Sequence, residues 1–237
     1  MKLWRLADPI DPSFARAAWH GAWSEAMGLC CECGASSQHR IQPLILEWEP
    51  GSINIGDFTC TGICDGFVLT DRVASTIKRQ FVGYETGPVS MVQDSKLRRS
   101  QRISRRTKPR IWLPYEGPPL YELWVTAVVP LDRERSSVRL ARHCPTCGNE
   151  RWEIEGIEEY SSKARENWEA GTYEIVTIHH SREPGMGIYL NRKDLGGADI
   201  FRIGEFSGWI MCTDEVKELI ENHKYTNLAF LEMGEIV

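Results

Sequence analysis

The chain has 237 residues, of which 42% are hydrophobic and 26% are charged, and its formal net charge is −5. This composition excludes a disordered tail, a collagen-like fibre and a small disulfide-stapled protein, because there is enough apolar material to bury a core. No apolar run approaches the roughly 18 residues needed to cross a bilayer. The acidic balance also does not favour a protein whose whole surface binds nucleic acid. We therefore predict a soluble, folded protein.

The first residues carry charge where a secretory signal requires an uninterrupted apolar stretch. Arg5 and Asp8 fall within this region, so no signal peptide is predicted. We therefore predict a cytoplasmic location. Thiols stay reduced there, and paired cysteines bind metal more often than they form disulfides.

Four of the eight cysteines lie in two C-x-x-C-G motifs, at residues 30–34 and 144–148. Two intervening residues allow a tight turn whose sulfurs converge about 2.3 Å from one metal ion, and Gly after the second Cys permits a positive φ. Two such turns predict one closed, structural zinc site. Its ligands would be Cys30, Cys33, Cys144 and Cys147. Iron in the same ligands, a redox dithiol and motifs that bind nothing are the alternatives.

The other cysteines fit this site less well. Cys31 and His143 adjoin the motifs and are candidate substitute ligands. Cys60 and Cys64 are separated by three residues beside an apolar stretch, which favours buried free thiols over a second site. Cys212 follows an apolar run and is predicted to lie in the core.

Two stretches of the chain, residues 67–77 and 210–220, align at an offset of 143. In each, three apolar residues predict a short buried strand, and the following Thr predicts a helix N-cap with Asp in the first turn. Val and Ile then recur four residues apart on one helix face. An extended stretch follows each helix. Chance similarity between two ordinary capped helices is the alternative, because only Thr, Asp, Val and Ile are identical.

A similar lead-in precedes each unit, at residues 56–58 and 198–202. Each half therefore contains one C-x-x-C-G motif followed by one strand-helix-strand unit. We predict an α+β fold of two pseudo-repeated lobes, with short mixed sheets and capped helices, joined by the zinc site. Within one domain of residues 1–237, the lobes are predicted at about 1–95 and 111–237, with a basic linker at 96–110.

Two charged segments are candidate partner surfaces. Residues 96–110 contain eight Lys or Arg, which predicts either a solvated linker or a surface for phosphate or an acidic protein. Residues 150–169 are rich in acid and would suit a cationic partner, although most such faces are merely solvated. The candidate partner-binding residues are Arg98, Arg99, Arg105, Arg106, Glu155, Glu158 and Glu159.

No catalytic motif is visible in the sequence. A nucleophile elbow, a Walker loop, a dinucleotide-binding glycine motif and an H-E-x-x-H helix are all missing. His179 and His180 follow a predicted strand and lie near Glu183. Adjacent strand residues point to opposite faces, so these two histidines are not expected to converge. We predict that the protein is not an enzyme.

The ordered set of motifs resembles the double-CXXCG motif proteins, a paralogous family of myxobacteria. The set comprises the first C-x-x-C-G at 30–34, Gly-Asp-Phe at 56–58, a strand at 120–124, the second C-x-x-C-G at 144–148 and Asp-Ile-Phe-Arg at 199–202. Members are taken to be Sit-type immunity proteins, which protect a cell from a polymorphic toxin delivered by its kin. The resemblance implies a cytoplasmic inhibitor that binds its cognate toxin, a product expected from the adjacent gene.

Two other classes of function remain open from the residues alone. A zinc-stabilised nucleic-acid-binding protein would use residues 96–110, and its binding would weaken steeply with salt. A thiol redox or metal-dependent enzyme would require an exposed cysteine of low pKa.

Overall fold

A computed structural model of the chain describes residues 1–23, 30–35, 40–62, 66–93, 108–167 and 172–237. These ranges contain two short α-helices, α1 (Asp71–Ile77) and α2 (Asp214–Asn222), and a 3-10 turn at Arg192–Leu195. The strands are β1 (Lys2–Ala7), β2 (Ala17–Trp23), β3 (Arg40–Trp48), β4 (Phe58–Cys60), β5 (Phe67–Thr70), β6 (Tyr84–Val92), β7 (Leu120–Val125), β8 (Val128–Val129), β9 (Val138–His143), β10 (Glu150–Ile154), β11 (Glu159–Asn167), β12 (Thr172–His180), β13 (Ile188–Leu190), β14 (Ile200–Ile203), β15 (Phe206–Thr213) and β16 (Ala229–Ile236).

Most of these strands form two mixed, six-stranded sheets. The first sheet has the order β2-β3-β6-β7-β5-β4, and the second has the order β13-β16-β1-β15-β14-β8. The remaining four strands form two separate hairpins, β9 with β10 and β11 with β12. This sheet-rich architecture with two helices is compatible with the predicted α+β class.

Five strands of one sheet correspond in position and direction to five strands of the other. In each sheet a central strand, β7 or β1, runs antiparallel to both of its neighbours. On one side of it, the next two strands are parallel to each other in each sheet, β3 with β6 and β13 with β16. A further parallel pair, β8 with β14, lies at the other end of the second sheet. The corresponding strands are β3 and β13, β6 and β16, β7 and β1, β5 and β15, and β4 and β14.

The two sheets do not follow the boundaries expected for the lobes. β1 lies within the second sheet, and β7 lies within the first, so each sheet contains a strand from beyond its expected lobe. Leu3 and Leu6 of β1 are almost fully buried in two different apolar clusters. Residues three apart in a strand point to opposite faces. Each face of β1 therefore contributes a buried leucine to a core cluster, and the strand lies inside the second sheet because it pairs with β15 on one side and β16 on the other.

Both helices begin after the threonine that the sequence predicts as the N-cap, but neither threonine side chain makes a capping hydrogen bond. Instead, the backbone N–H of Thr70 donates to the carbonyl oxygen of Asp57, and that of Thr213 to the carbonyl oxygen of Asp199, at 3.1 Å in both cases. The apolar face is as expected, because the predicted Val and Ile pairs, Val73 with Ile77 and Val216 with Ile220, are buried. No helix in the described ranges combines the length and apolar character that a membrane-spanning helix requires.

Each lead-in segment binds the loop that follows the other helix. The N–H of Thr226 donates to Asp57 Oδ2 at 2.9 Å, and the N–H of Val82 donates to Asp199 Oδ2 at 3.0 Å. The residue after each aspartate then donates its N–H to the carbonyl oxygen of Thr226 or Val82, at 3.2 Å in both cases. The loop after α2 is therefore bound by the first lead-in in the same way as the loop after α1 is bound by the second lead-in.

A single apolar cluster joins both sheets and both helices. Phe67 of β5 and Leu123 of β7 pack in it together with Ile210 and Cys212 of β15. Cys212 has no exposed surface, which confirms that this thiol lies in the core.

Candidate metal centre

The two C-x-x-C-G motifs form knuckles with the same backbone geometry. The N–H of Gly34 donates to the carbonyl oxygen of Cys30, and the N–H of Gly148 to that of Cys144, at 2.8 Å in both. The N–H of each first cysteine donates to the carbonyl oxygen five residues later, at 2.9 Å. Both glycines have a φ of 71°, which confirms the positive φ expected from the sequence.

The knuckles come from distant parts of the chain. The first lies between β2 and β3, on the outer side of the first sheet, and the second forms the turn between β9 and β10. The β9–β10 hairpin is attached to the second sheet, because the N–H of Ser137 donates to the carbonyl oxygen of Gly187 at 2.8 Å. A metal ion held by both knuckles would therefore connect the edge of one sheet to a hairpin attached to the other.

The four cysteine sulfurs of the knuckles lie within 4.8 Å of one another. Between the knuckles, Cys30 Sγ lies 3.7 Å from Cys144 Sγ and Cys33 Sγ lies 3.5 Å from Cys147 Sγ. A tetrahedron with metal–sulfur distances of about 2.3 Å has sulfurs about 3.8 Å apart. The four thiols are therefore close enough to bind one metal ion.

Full ionisation of this cluster would require a compensating cation. The N–H groups of Cys33 and Glu32 lower the pKa of the Cys30 thiol to about 6. The N–H of Asn149 favours the thiolate of Cys147, but the three neighbouring thiols and desolvation outweigh it and raise its pKa to about 12. One thiolate therefore forms readily, while further negative charges repel it. A bound metal cation would supply the compensating charge and deprotonate the remaining thiols.

Direct contacts between the knuckles surround the sulfurs. The carboxylate of Glu32 accepts a hydrogen bond from the Thr146 hydroxyl and lies 3.9 Å from Cys144 Sγ. Arg142 donates to the carbonyl oxygen of Glu32 at 3.3 Å. Cys144 is buried, whereas Cys147 is exposed. Four protein ligands fill a tetrahedral site and leave no position for substrate, so this arrangement suits a structural metal.

Within the described part of the chain, this is the only cluster of potential metal ligands. Cys31 is exposed and lies outside the cluster, and His143 faces Glu150 at 3.7 Å. Cys60 is half-buried. Cys64 lies outside the described residues.

The three acidic candidate partner residues differ in how available they are. Glu155 and Glu159 are exposed. Glu158 is mostly buried, because its Oε1 lies 2.6 Å from His179 Nε2 and its Oε2 accepts the Glu232 N–H at 2.7 Å. Glu158 therefore fastens the start of β11 to β16, and Glu155 and Glu159 are better placed to contact a partner.

The four basic candidates, Arg98, Arg99, Arg105 and Arg106, lie outside the described residues. His179 and His180 point to opposite faces, as expected from adjacent strand positions. His179 contacts Glu158, and His180 Nε2 lies 2.9 Å from Ser161 Oγ.

One polar network that the sequence analysis did not single out is centred on the buried Asp57. Its carboxylate accepts two hydrogen bonds from the Arg72 guanidinium, at 3.1 and 2.6 Å, and two from Thr226, at 2.9 and 3.0 Å. Burial acts to raise the pKa of Asp57, but the bonds from Arg72 and Thr226 outweigh it and lower this pKa. The sequence signal was the Gly-Asp-Phe lead-in, which does not reveal these partners.

Replacing Gly148 by Ala is expected to cost about 1–2 kcal/mol of stability and to weaken metal binding, because a side chain is strained at this positive φ. Crowding would not contribute, since an added Cβ meets no atom within 4 Å. Gly148→Asn should lose less stability and less metal affinity than Gly148→Ala, because Asn tolerates the left-handed region better than Ala does. Gly208→Ala is the matched control, with equally open space and no positive φ. Thermal unfolding and chelator competition would measure both effects, and equal values for the two Ala variants would contradict this prediction.

The chain matches no model of a known protein family, and no curated protein is significantly similar to it.

Proposed function

We propose that this protein is an immunity protein that binds a cognate bacterial toxin in the cytoplasm and neutralises it, without catalytic activity of its own. The ordered motif set that resembles the double-CXXCG family supports this function. The main structural support is the four-thiol cluster, which brings together knuckles 114 residues apart in the chain. A protein that acts by binding must hold its surface in one shape, and a closed metal site contributes to that rigidity.

We further propose that zinc is the metal. Four thiolates in a tetrahedral arrangement are typical of structural zinc, and iron is the alternative that the same ligands would accept. Metal analysis of the purified protein distinguishes the two, since zinc gives a colourless protein and iron thiolates absorb visible light.

The fold also supports an origin in two copies of one unit, forming two lobes. Each copy would contain a first strand (β1 or β7), a knuckle, a strand that runs parallel to the last strand of the copy (β3 or β13) and the β-β-α-β unit that follows. In this interpretation the two copies exchange their first strands, so that each sheet is completed by the other copy. The reciprocal hydrogen bonds of Asp57 and Asp199 support the same relationship.

Co-expression with the product of the adjacent gene tests the proposed function. We expect this product to stop growth alone, growth to resume with the protein present, and a stoichiometric complex to be purified. A harmless neighbour, or a toxic one that is not rescued, would contradict the proposal. Binding to nucleic acid that weakens steeply with salt would instead favour the nucleic-acid alternative.

A further inference from the structure

The guanidinium group of Arg72 occupies a defined binding position beside α1, which we call the first seat. Arg72 donates two hydrogen bonds to Asp57, and its guanidinium carbon lies 4.7 Å from the centre of the Tyr225 ring. Tyr225 is held against the helix because its hydroxyl donates to Thr76 Oγ1 at 2.8 Å. The seat therefore combines a carboxylate, which binds the fork of the guanidinium, with an aromatic face on which the group stacks.

The corresponding seat beside α2 has the acid and the ring but not the arginine. The offset of 143 that relates Thr70 to Thr213 also relates Arg72 to Glu215 and Thr76 to Leu219. Asp199 corresponds to Asp57, because both accept the N–H of a loop residue after the other helix. Phe81 immediately precedes Val82, just as Tyr225 immediately precedes Thr226. A glutamate thus replaces the arginine that completes the first seat.

The second seat is an open groove of about 330 Å³. Gln80 and Phe81 line it from the segment after α1. From α2 and its C-terminal end it is lined by Glu215, Glu218, Leu219, Asn222 and His223. In the first seat, the equivalent space is covered by the Arg72 side chain lying across Tyr225. The groove therefore retains an aromatic wall and gains acidic groups.

No cation of the described residues neutralises these acids. Glu215 and Glu218 are exposed and form no ion pair with other described side chains. Asp199 Oδ2 accepts the Val82 N–H, and its Oδ1 has no hydrogen-bond partner in the part of the chain described. Burial and the nearby charge of Glu215 raise the pKa of Asp199. Lys217 on the same helix is engaged with Glu221 and lies over Trp4, outside the groove.

We propose that this groove binds the guanidinium of an arginine side chain presented by a protein partner, stacked on Phe81 and paired with the carboxylates of Glu215 and Glu218, much as Arg72 stacks on Tyr225 and pairs with Asp57. Arginine fits better than lysine, because its planar fork can contact carboxylate oxygens while its face stacks on Phe81. The identification of this partner with the toxin rests on the proposed function. The expected binding of a guanidinium group does not depend on it.

The first experiment tests the groove alone. The ¹⁵N-labelled protein is titrated with arginine methyl ester and, as a neutral analogue of similar shape, citrulline methyl ester. We expect saturable chemical-shift changes at Phe81, Glu215 and Leu219 with the arginine ester and much smaller changes with the citrulline ester. Absent changes, or equal changes with both esters, would overturn the proposal.

The variant Glu215→Arg fills the groove from within. It should pair with Asp199, unfold at a temperature at least as high as the wild type, and lose the response to arginine methyl ester. Glu134→Arg is the matched control, with the same charge change on an exposed turn, and should retain the response. A folded Glu215→Arg protein that still responds like the wild type would also overturn the proposal.

The second experiment uses the toxin complex. If the wild type rescues growth, Glu215→Arg should weaken the complex about tenfold or more, the effect expected on losing a buried arginine contact, while Glu134→Arg should not. Equal binding by the wild type and Glu215→Arg would overturn the role of the groove and leave the immunity function standing. If the wild type itself does not rescue, the immunity proposal fails, and the ester titration alone decides whether the groove binds guanidinium.

Discussion

Replacing Cys144 by Ser is expected to abolish metal binding and to lower the free energy of unfolding by at least about 3 kcal/mol. Cys144 is the most buried of the four thiols, and its Sγ lies 3.7 Å from that of Cys30. Structural zinc contributes about 10–16 kcal/mol to the folding of zinc-finger peptides. The loss here should be smaller, because both sheets keep their apolar core. At about 2–4 °C per kcal/mol, the melting temperature should fall by at least about 6–12 °C.

Cys31→Ser is the control for this variant, since Cys31 lies in the same knuckle but is exposed and outside the cluster. It should retain one equivalent of metal per chain and the melting temperature of the wild type. Metal analysis and calorimetry of both variants provide the comparison. A Cys144→Ser protein with full metal content and unchanged melting would show that the four thiols do not form a shared site.

At pH 7, Asp57→Asn is expected to lower the stability of the protein, whereas Asp199→Asn is not. The Asp57 carboxylate accepts hydrogen bonds from Thr70, Arg72 and Thr226. In Asp57→Asn, the NH₂ group of the amide would face these donors, which should lower the free energy of unfolding by about 2–4 kcal/mol. Among the described residues, the Asp199 carboxylate accepts a hydrogen bond only from the Val82 N–H, and it is repelled by Glu215. An Asn oxygen can accept the same bond, so Asp199→Asn should leave stability equal or higher.

The pH dependence of the two variants should also differ. The folded-state pKa of Asp57 is lowered, so its contribution is present above the unfolded pKa of about 3.9 and is lost as the pH falls through the folded value. The folded-state pKa of Asp199 is raised, so its contribution is present below about pH 3.9 and is lost as the pH rises through the folded value. Urea unfolding between about pH 3 and pH 7 measures both trends. Equal losses for the two variants at pH 7 would contradict this interpretation.

The features that short stretches of sequence determine could be predicted well. In each knuckle, two intervening residues and a glycine fix the turn, so the sequence indicates both the ligands and the positive φ of Gly34 and Gly148. The units β5-α1-β6 and β15-α2-β16 were also visible, because apolar spacing and a Thr-Asp helix start are local signals. The missing capping bonds of Thr70 and Thr213 show the limit of this reasoning, since tertiary contacts determine what a side chain binds.

The positions of β1 and β7 could not be predicted from local patterns. A local pattern can indicate a strand but does not specify its partners, which for Trp4 of β1 are Cys212 of β15 and Glu232 of β16. The groove beside α2 was hidden for a similar reason. The alignment places Arg72 opposite Glu215, but this difference has a meaning only once the fold brings Asp199 and Phe81 to the same place.

The placement of β1 between β15 and β16 also constrains how the protein is made. A nascent chain that has passed residue 125 contains every strand of the first sheet, whereas β1 has no neighbours until the ribosome has added residues 206–236. Contacts so distant in sequence slow folding, and unpaired apolar strands favour aggregation. Among the described strands, β1 therefore waits longest for its partners, and a chain interrupted before β15 would leave it unpaired.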